Sequence, residues 1–320
     1  MRRALVVGIN AYPTAPLNGC VKDAERIGRL LSKHADGAPN FDVIELLGTS
    51  TPSTSPIDKT TLKSAILRLF EQSADVALLY FSGHGMPTAV GGYLVSSDAK
   101  KYDEGVAMAE VLAAVNNSPV REAIILLDCC HSGQFGQVPS VAPTDRTMLR
   151  DGVCIVVASR PDEAALETKD GGVFTQLVCD ALEGGAADPL GRVTAASIYA
   201  YVDQSLSAWD QRPLFRASLS EFREVRRVLP MVPPSILRLL PTYFPTPNYE
   251  HPLDKSYEPS QEPRNEKNER TFKDFQCLRD AHLLVPVGEE ALYYAAMNDK
   301  ACKLTLRGQF YWKLASANKV

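Results

Sequence analysis

Two short segments of the 320-residue chain hold residues able to do covalent chemistry. They are Tyr80-Phe81-Ser82-Gly83-His84-Gly85 and Leu126-Leu127-Asp128-Cys129-Cys130-His131-Ser132-Gly133. Each starts as an apolar, buried-type run and ends in polar residues flanked by glycine. A thiol is a strong nucleophile only as thiolate, and a neighbouring imidazole can take its proton and return it to a leaving amine. Glycines on either side of His84, and Gly133 soon after the cysteines, let the backbone approach a substrate carbonyl and offer N–H groups to its developing negative charge. The pattern predicts a Cys–His pair with His84 as the base. Cys129 and Cys130 both fit the nucleophile, but adjacent side chains on a strand face opposite ways, so one alone can face His84. A zinc site built from His84, Cys129, Cys130 and His131 is a rival use of the same residues. Adjacent cysteines lack the ligand spacing of structural zinc sites, so no metal is expected.

The elements that must carry these residues follow from hydrophobic periodicity. Residues 3–9, 41–47, 75–82, 122–128, 153–159 and 213–217 read as strands, most of them apolar on both faces. Helical stripes lie between them: Val21, Ala24, Ile27, Leu30 and Leu31; Leu62, Ala65, Ile66, Leu69 and Phe70; Val111, Leu112 and Val115; then 174–182 and 195–206. Alternation of this kind predicts an α/β fold, with a mainly parallel six-stranded sheet flanked by helices. Ligands of such sheets gather at the carboxyl ends of the strands, where both reactive segments lie.

Composition narrows the function classes. The chain is 45% hydrophobic and 22% charged, with formal net charge −4, which excludes a strongly basic nucleic-acid-binding protein but not a local basic patch. Apolar runs such as Val76 to Phe81 and Cys154 to Ala158 fall far short of the roughly 20 residues that span a bilayer, so no membrane partner is expected. Seven cysteines at scattered spacings, none as CxxC, fit reduced thiols and a cytoplasmic location.

At Ser82-Gly83-His84-Gly85 and Asp128-Cys129-Cys130-His131-Ser132-Gly133 the sequence resembles the caspase-like cysteine peptidases, within them the metacaspases and their bacterial relatives of the peptidase C14 type. The 46 residues from His84 to Cys130 are similar to the family's interval of about 50. Ala158-Ser159-Arg160 and Gly171-Gly172-Val173-Phe174-Thr175 extend the resemblance over residues 1–228. It implies that Cys130 is the nucleophile, that His84 is the general acid and base, and that the N–H groups of Gly85 and Cys130 form the oxyanion hole.

The resemblance also implies a basic substrate. Asp23, in Gly19-Cys20-Val21-Lys22-Asp23-Ala24, and Asp128 match the family's pocket carboxylates, with Ser82 lining the same pocket. Two carboxylates suit a guanidinium, so cleavage of a protein or peptide after Arg, less so Lys, is expected. The loop 133–152 carries Arg146 and Arg150 as candidate self-cleavage sites. Calcium activates several relatives. Here Asp98, Asp103 and Glu104 form an acidic group without the ligand spacing of a calcium loop, and no cofactor is expected.

Beyond residue 228 the texture changes. Nine of the 22 prolines lie between Pro230 and Pro263, which reads as a linker over 229–271. Residues 272–320 then read as a small, mainly helical module, with Leu304 to Trp312 resembling the end of a winged-helix domain. Tyr293, Tyr294, Tyr311 and Trp312 with Arg307 could stack a nucleotide base or build a small core. By family analogy this appendage regulates the peptidase. An activating small molecule, nucleotide or protein would bind it and switch on a zymogen in antiviral defence or regulated cell death. A non-catalytic scaffold, or a nucleotide- or nucleic-acid-sensing regulator acting through 272–320, are the alternative functions.

Overall fold

The structure, a computed structural model, describes residues 1–49, 56–88, 91–129, 149–158, 167–168, 171–206 and 213–320. They form two compact units, 1–187 with 192–228, and 188–191 with 229–320.

In the first unit the chain runs β1 (Arg2–Ile9), α1 (Cys20–Ser32), β2 (Asp42–Gly48), α2 (Lys59–Glu71) and β3 (Val76–Ser82). A three-stranded antiparallel sheet follows, made of β4 (Gly85–Thr88), β5 (Gly91–Lys100) and β6 (Asp103–Ala107). Next come α3 (Met108–Asn116), β7 (Glu122–Asp128), β8 (Val153–Val157), and a hairpin of β9 (Glu167–Thr168) and β10 (Gly171–Gly172). The unit closes with α4 (Val173–Asp180), β11 (Arg192–Thr194), α5 (Ala195–Leu206), β12 (Leu214–Ser218) and β13 (Glu224–Arg227).

The main sheet has the order β12-β8-β7-β3-β1-β2, parallel except for β12. The strands alternate between two apolar layers. Leu5, Val7, Leu79, Phe81, Ile125 and Leu127 face one core together with residues of α2 and α3. Ala4, Val6, Leu78, Tyr80, Ile124 and Leu126 face the other with α1, α4 and α5. This is the six-stranded, mainly parallel α/β architecture that the apolar runs predict.

The second unit contains α6 (Pro234–Arg238), α7 (Leu240–Tyr243), β14 (Glu250–Pro252), α8 (Glu266–Asp280), β15 (Leu284–Val287), α9 (Leu292–Met297), β16 (Ala301–Leu304) and α10 (Leu306–Ser316). Its three strands pair antiparallel in the order β14-β16-β15. The stretch read as a linker is part of this unit: Val232, Leu237, Leu240, Phe244, Leu253 and Tyr257 are core residues beside Phe272, Phe275 and Leu278. Pro234 stands in the first turn of α6 and Pro241 in that of α7, where a missing N–H is harmless. Prolines here start helices rather than prevent them.

His251 is built into that core. Its Nδ1–H donates to the Tyr243 carbonyl at 2.8 Å, so Nε2 accepts from the Tyr257 hydroxyl at 2.9 Å. Rings of Phe244, Tyr249, Tyr257 and Phe275 surround it. Burial lowers the His251 pKa, opposed by the Tyr243 carbonyl. The unfolded chain therefore takes up a proton at higher pH than the folded unit, and stability falls as pH drops below the ordinary histidine range. Hydrogen exchange through α8 in the full chain should accelerate between pH 7.5 and 5.5 beyond the intrinsic chemical change, and His251→Phe should flatten that response. Protection independent of pH over this range would contradict it.

Candidate active site

β3 and β7 are neighbours, parallel and in register, with Ser82 opposite Asp128. The two segments singled out by their chemistry therefore leave the sheet side by side. Gly83 N–H donates to the Asp128 carbonyl at 3.4 Å, and His84 follows at once. The imidazole is half-buried, its Nε2 2.7 Å from the Ala15 carbonyl oxygen. A carbonyl can only accept, so Nε2 carries the proton and Nδ1 presents the lone pair. Nδ1 is the atom able to take a proton from a nucleophile.

The amide of Gly85 is oriented by the β4–β5 ladder. Val95 N–H donates to the His84 carbonyl at 3.0 Å, which makes His84 and Val95 a hydrogen-bonded position. Such positions alternate with non-bonded ones along antiparallel strands. Gly85, opposite Leu94, is therefore a position whose N–H the ladder does not use. A donor facing away from its own sheet is what an oxyanion hole requires.

Asp23 stands in the first turn of α1 and Asp128 at the end of β7, at 5% and 7% exposure. Both meet the β10 segment. Gly172 N–H donates to Asp23 Oδ2 at 3.0 Å. A Cβ on Gly171 would lie 2.1 Å from Asp23 Oδ1, and one on Gly172 would lie 2.2 Å from Asp128 Oδ2. Gly171 also has φ +117°, so side chains are excluded there twice over. The Thr175 hydroxyl donates to Asp128 Oδ2 at 2.5 Å and accepts in turn from the Tyr80 hydroxyl, also at 2.5 Å. Burial, with the charges of Asp128 and Asp23, pushes the Tyr80 phenol well above its ordinary range, so it remains a donor. Ser82 is buried one strand away, level with Gly8 and Asp128. Buried carboxylates gathered against one hairpin give a locally anionic site suited to a cation.

The remaining sequence candidates separate clearly. Cys130, His131 and Arg146 lie outside the described residues. Cys129 is 2% exposed and packs into the apolar layer shared with α2 and α3, on the face of β7 that carries Leu127. Burial pushes the Cys154 and Cys179 thiols up to about 12, which leaves them un-ionised. The Arg150 guanidinium donates to the carbonyls of Val115, Val120 and Asp151. Asp103 pairs with Lys59 at 2.6 Å, Asp98 accepts from the Lys59 N–H, and Glu104 accepts from the Tyr102 N–H. Among the described residues no cluster of three or more His, Cys, Asp or Glu could hold a metal. In the second unit Tyr311 is a core residue and Trp312 donates to the Phe244 carbonyl, whereas Tyr293 and Tyr294 are exposed. Sequence reasoning passes over the Ala15 carbonyl, which has no residue-type signal, and the Tyr80–Thr175 relay. Thr175 was within reach because it closes the Gly171-to-Thr175 segment.

With the site built, comparison with known proteins gives its class. The family model of the caspase domain, peptidase C14, matches residues 1–222. The chain belongs to this family, and its first unit has a peptidase-type fold. Among solved structures it is similar to a structural-genomics protein of Geobacter sulfurreducens, at 17% identity and TM-score 0.52, covering 71% of this chain and 99% of that one. It is also similar to caspase-1 from Spodoptera frugiperda, at 12% identity and TM-score 0.51, covering 71% and 90%. A search of curated proteins finds no match. No helix among the described residues is long and apolar enough to cross a membrane.

The relay onto Asp128 carries a stability prediction. Thr175→Val deletes the donor to a buried carboxylate at constant shape and should destabilise the chain by about 1–3 kcal/mol in denaturant titration. A change below about 0.5 kcal/mol, the range of ordinary surface substitutions, would show that Thr175 does not support Asp128.

Proposed function

We propose that the protein is a cysteine endopeptidase that cleaves peptide bonds after basic residues, Arg before Lys. Cys130 is the nucleophile and His84 the general base. The observation that carries this reading is the Nε2–H to Ala15 carbonyl bond, which leaves Nδ1 as the proton acceptor. Nδ1 takes the Cys130 thiol proton and the thiolate attacks the scissile carbonyl carbon. The oxygen of the tetrahedral intermediate is held by the N–H groups of Gly85 and Cys130. Collapse breaks the C–N bond as His84 returns the proton to the leaving amine. Water, deprotonated by His84, then hydrolyses the thioester and frees the thiol.

Cys130 follows a residue whose side chain is committed to the core, which supports Cys130 over Cys129 as the reactive thiol. Asp23, Asp128 and Ser82 form the pocket for the basic side chain. Their charge and burial support a guanidinium, which pairs with carboxylate oxygens through several donors at once. A fluorogenic panel with Arg, Lys or Asp before the reporter should show turnover on Arg, less on Lys and none on Asp, all abolished by Cys130→Ala. Asp128→Asn should lower kcat/KM on Arg roughly 30-fold or more, following the ~2–5 kcal/mol cost of truncating a buried charge pair. Turnover confined to Asp reporters would overturn the pocket assignment.

The enzyme is a zymogen with low basal turnover, raised through its second unit, where a small molecule, nucleotide or protein binds. Cytoplasmic antiviral defence or regulated cell death is the setting, and no disulfide among the described cysteines argues against it. Self-cleavage during activation falls after Arg146. Arg150 would first have to surrender three carbonyl bonds. Intact mass of the activated protein should report a cut after Arg146 that Arg146→Gln prevents; a single uncut chain at full activity would contradict it.

A further inference from the structure

The strand pair that presents His84 is completed by a side chain from elsewhere. His84 and Val95 occupy a hydrogen-bonded position of the β4–β5 ladder, where two reciprocal N–H to carbonyl bonds are due. One is made directly, from Val95 N–H to the His84 carbonyl at 3.0 Å. The other is interrupted by Tyr12. His84 N–H donates to the Tyr12 hydroxyl at 3.0 Å, and that hydroxyl donates to the Val95 carbonyl at 3.2 Å.

We propose that Tyr12 is the positioning residue of His84, its hydroxyl standing in for the missing ladder bond and its ring fixing the imidazole. The ring centroids of Tyr12 and His84 lie 4.5 Å apart at 56°. Tyr12 is buried, and burial pushes its phenol further above the ordinary range, so it stays protonated and able to donate to Val95. The same loop between β1 and α1 supplies Ala15, whose carbonyl accepts from Nε2. That loop is itself tied down. Asn10 N–H donates to the Gly48 carbonyl, and the Asn10 carbonyl accepts from the N–H groups of Tyr12 and Leu17. One anchored segment thus grips His84 at its backbone, its ring face and its Nε2. Gly83 is part of the device, because a Cβ there would lie 2.5 Å from the Tyr12 hydroxyl oxygen.

The catalytic consequence rests on His84 being the general base; the placement of the ring does not. Nitrogen-15 spectra of histidine-labelled full-length protein, with His84→Gln to assign the signal, should show His84 as the Nε2–H tautomer at pH 7.5. Tyr12→Phe keeps the ring but removes the bridge, and should mix the two tautomers. It should also lower kcat on the Arg peptide about 10- to 100-fold with KM unchanged, as small misplacements of a catalytic group do. Gly83→Ala should disturb the His84 signal in the same way, and should add little to the disturbance already caused by Tyr12→Phe, because both changes act on the one bridge. An unchanged His84 spectrum in Tyr12→Phe overturns the proposal. Full peptide turnover in His84→Ala would instead overturn the general-base reading, leaving the spectra to decide the role of Tyr12.

Discussion

The register of three parallel strands governs this molecule. Gly8, Ser82 and Asp128 lie level across β1, β3 and β7, so the residues after each strand emerge along one edge. Both faces of these strands are buried, and that locks the register. A slip of one residue in β7 would turn Asp128 into the apolar layer under α2 and α3 and bring Cys129 out of it. His84 and Asp128 come together because their strands end together, and Asp23 joins them from the helix that follows β1.

What the edge then collects is unequal in cost. An imidazole held by one carbonyl is inexpensive, whereas carboxylates at 5% and 7% exposure are not. The fold offsets that cost with the Gly172 N–H on Asp23 and the Thr175 hydroxyl on Asp128, the latter backed by Tyr80. The two glycines of β10 let the backbone come this near, since a methyl at either would strike a carboxylate oxygen. Buried carboxylates, each with its own donor, are what the proposed pocket for a basic side chain requires.

The sequence discloses the parts of this arrangement that residue type encodes. β1, β3, β7 and β8 announce themselves as apolar runs, His84 as a Gly-flanked residue and Asp128 as a carboxylate at strand ends. The carbonyl of Ala15 could not be found that way, because every residue has one. Tyr12 reads as any aromatic after a strand until the β4–β5 pairing shows the gap its hydroxyl fills. The first part of the second unit reads as a linker because the helical spacing of Leu237, Leu240 and Phe244 is short and interrupted by prolines, while Val232 and Leu253 are single anchors. Periodicity detects helices and strands; it does not detect a chain pinned at isolated points. Tyr311 and Trp312 show the converse, aromatics conspicuous in the sequence that serve the core and a backbone carbonyl.

The central claim is that the His84 imidazole draws the proton from the Cys130 thiol. The most direct measurement is the pH dependence of Cys130 alkylation by iodoacetamide, followed by peptide mass in the full chain and in His84→Ala. The account predicts rapid alkylation of the native chain well below the ordinary thiol range near pH 8.5, and in the variant a single rise at that higher pH. Superimposable profiles for the two proteins would contradict it.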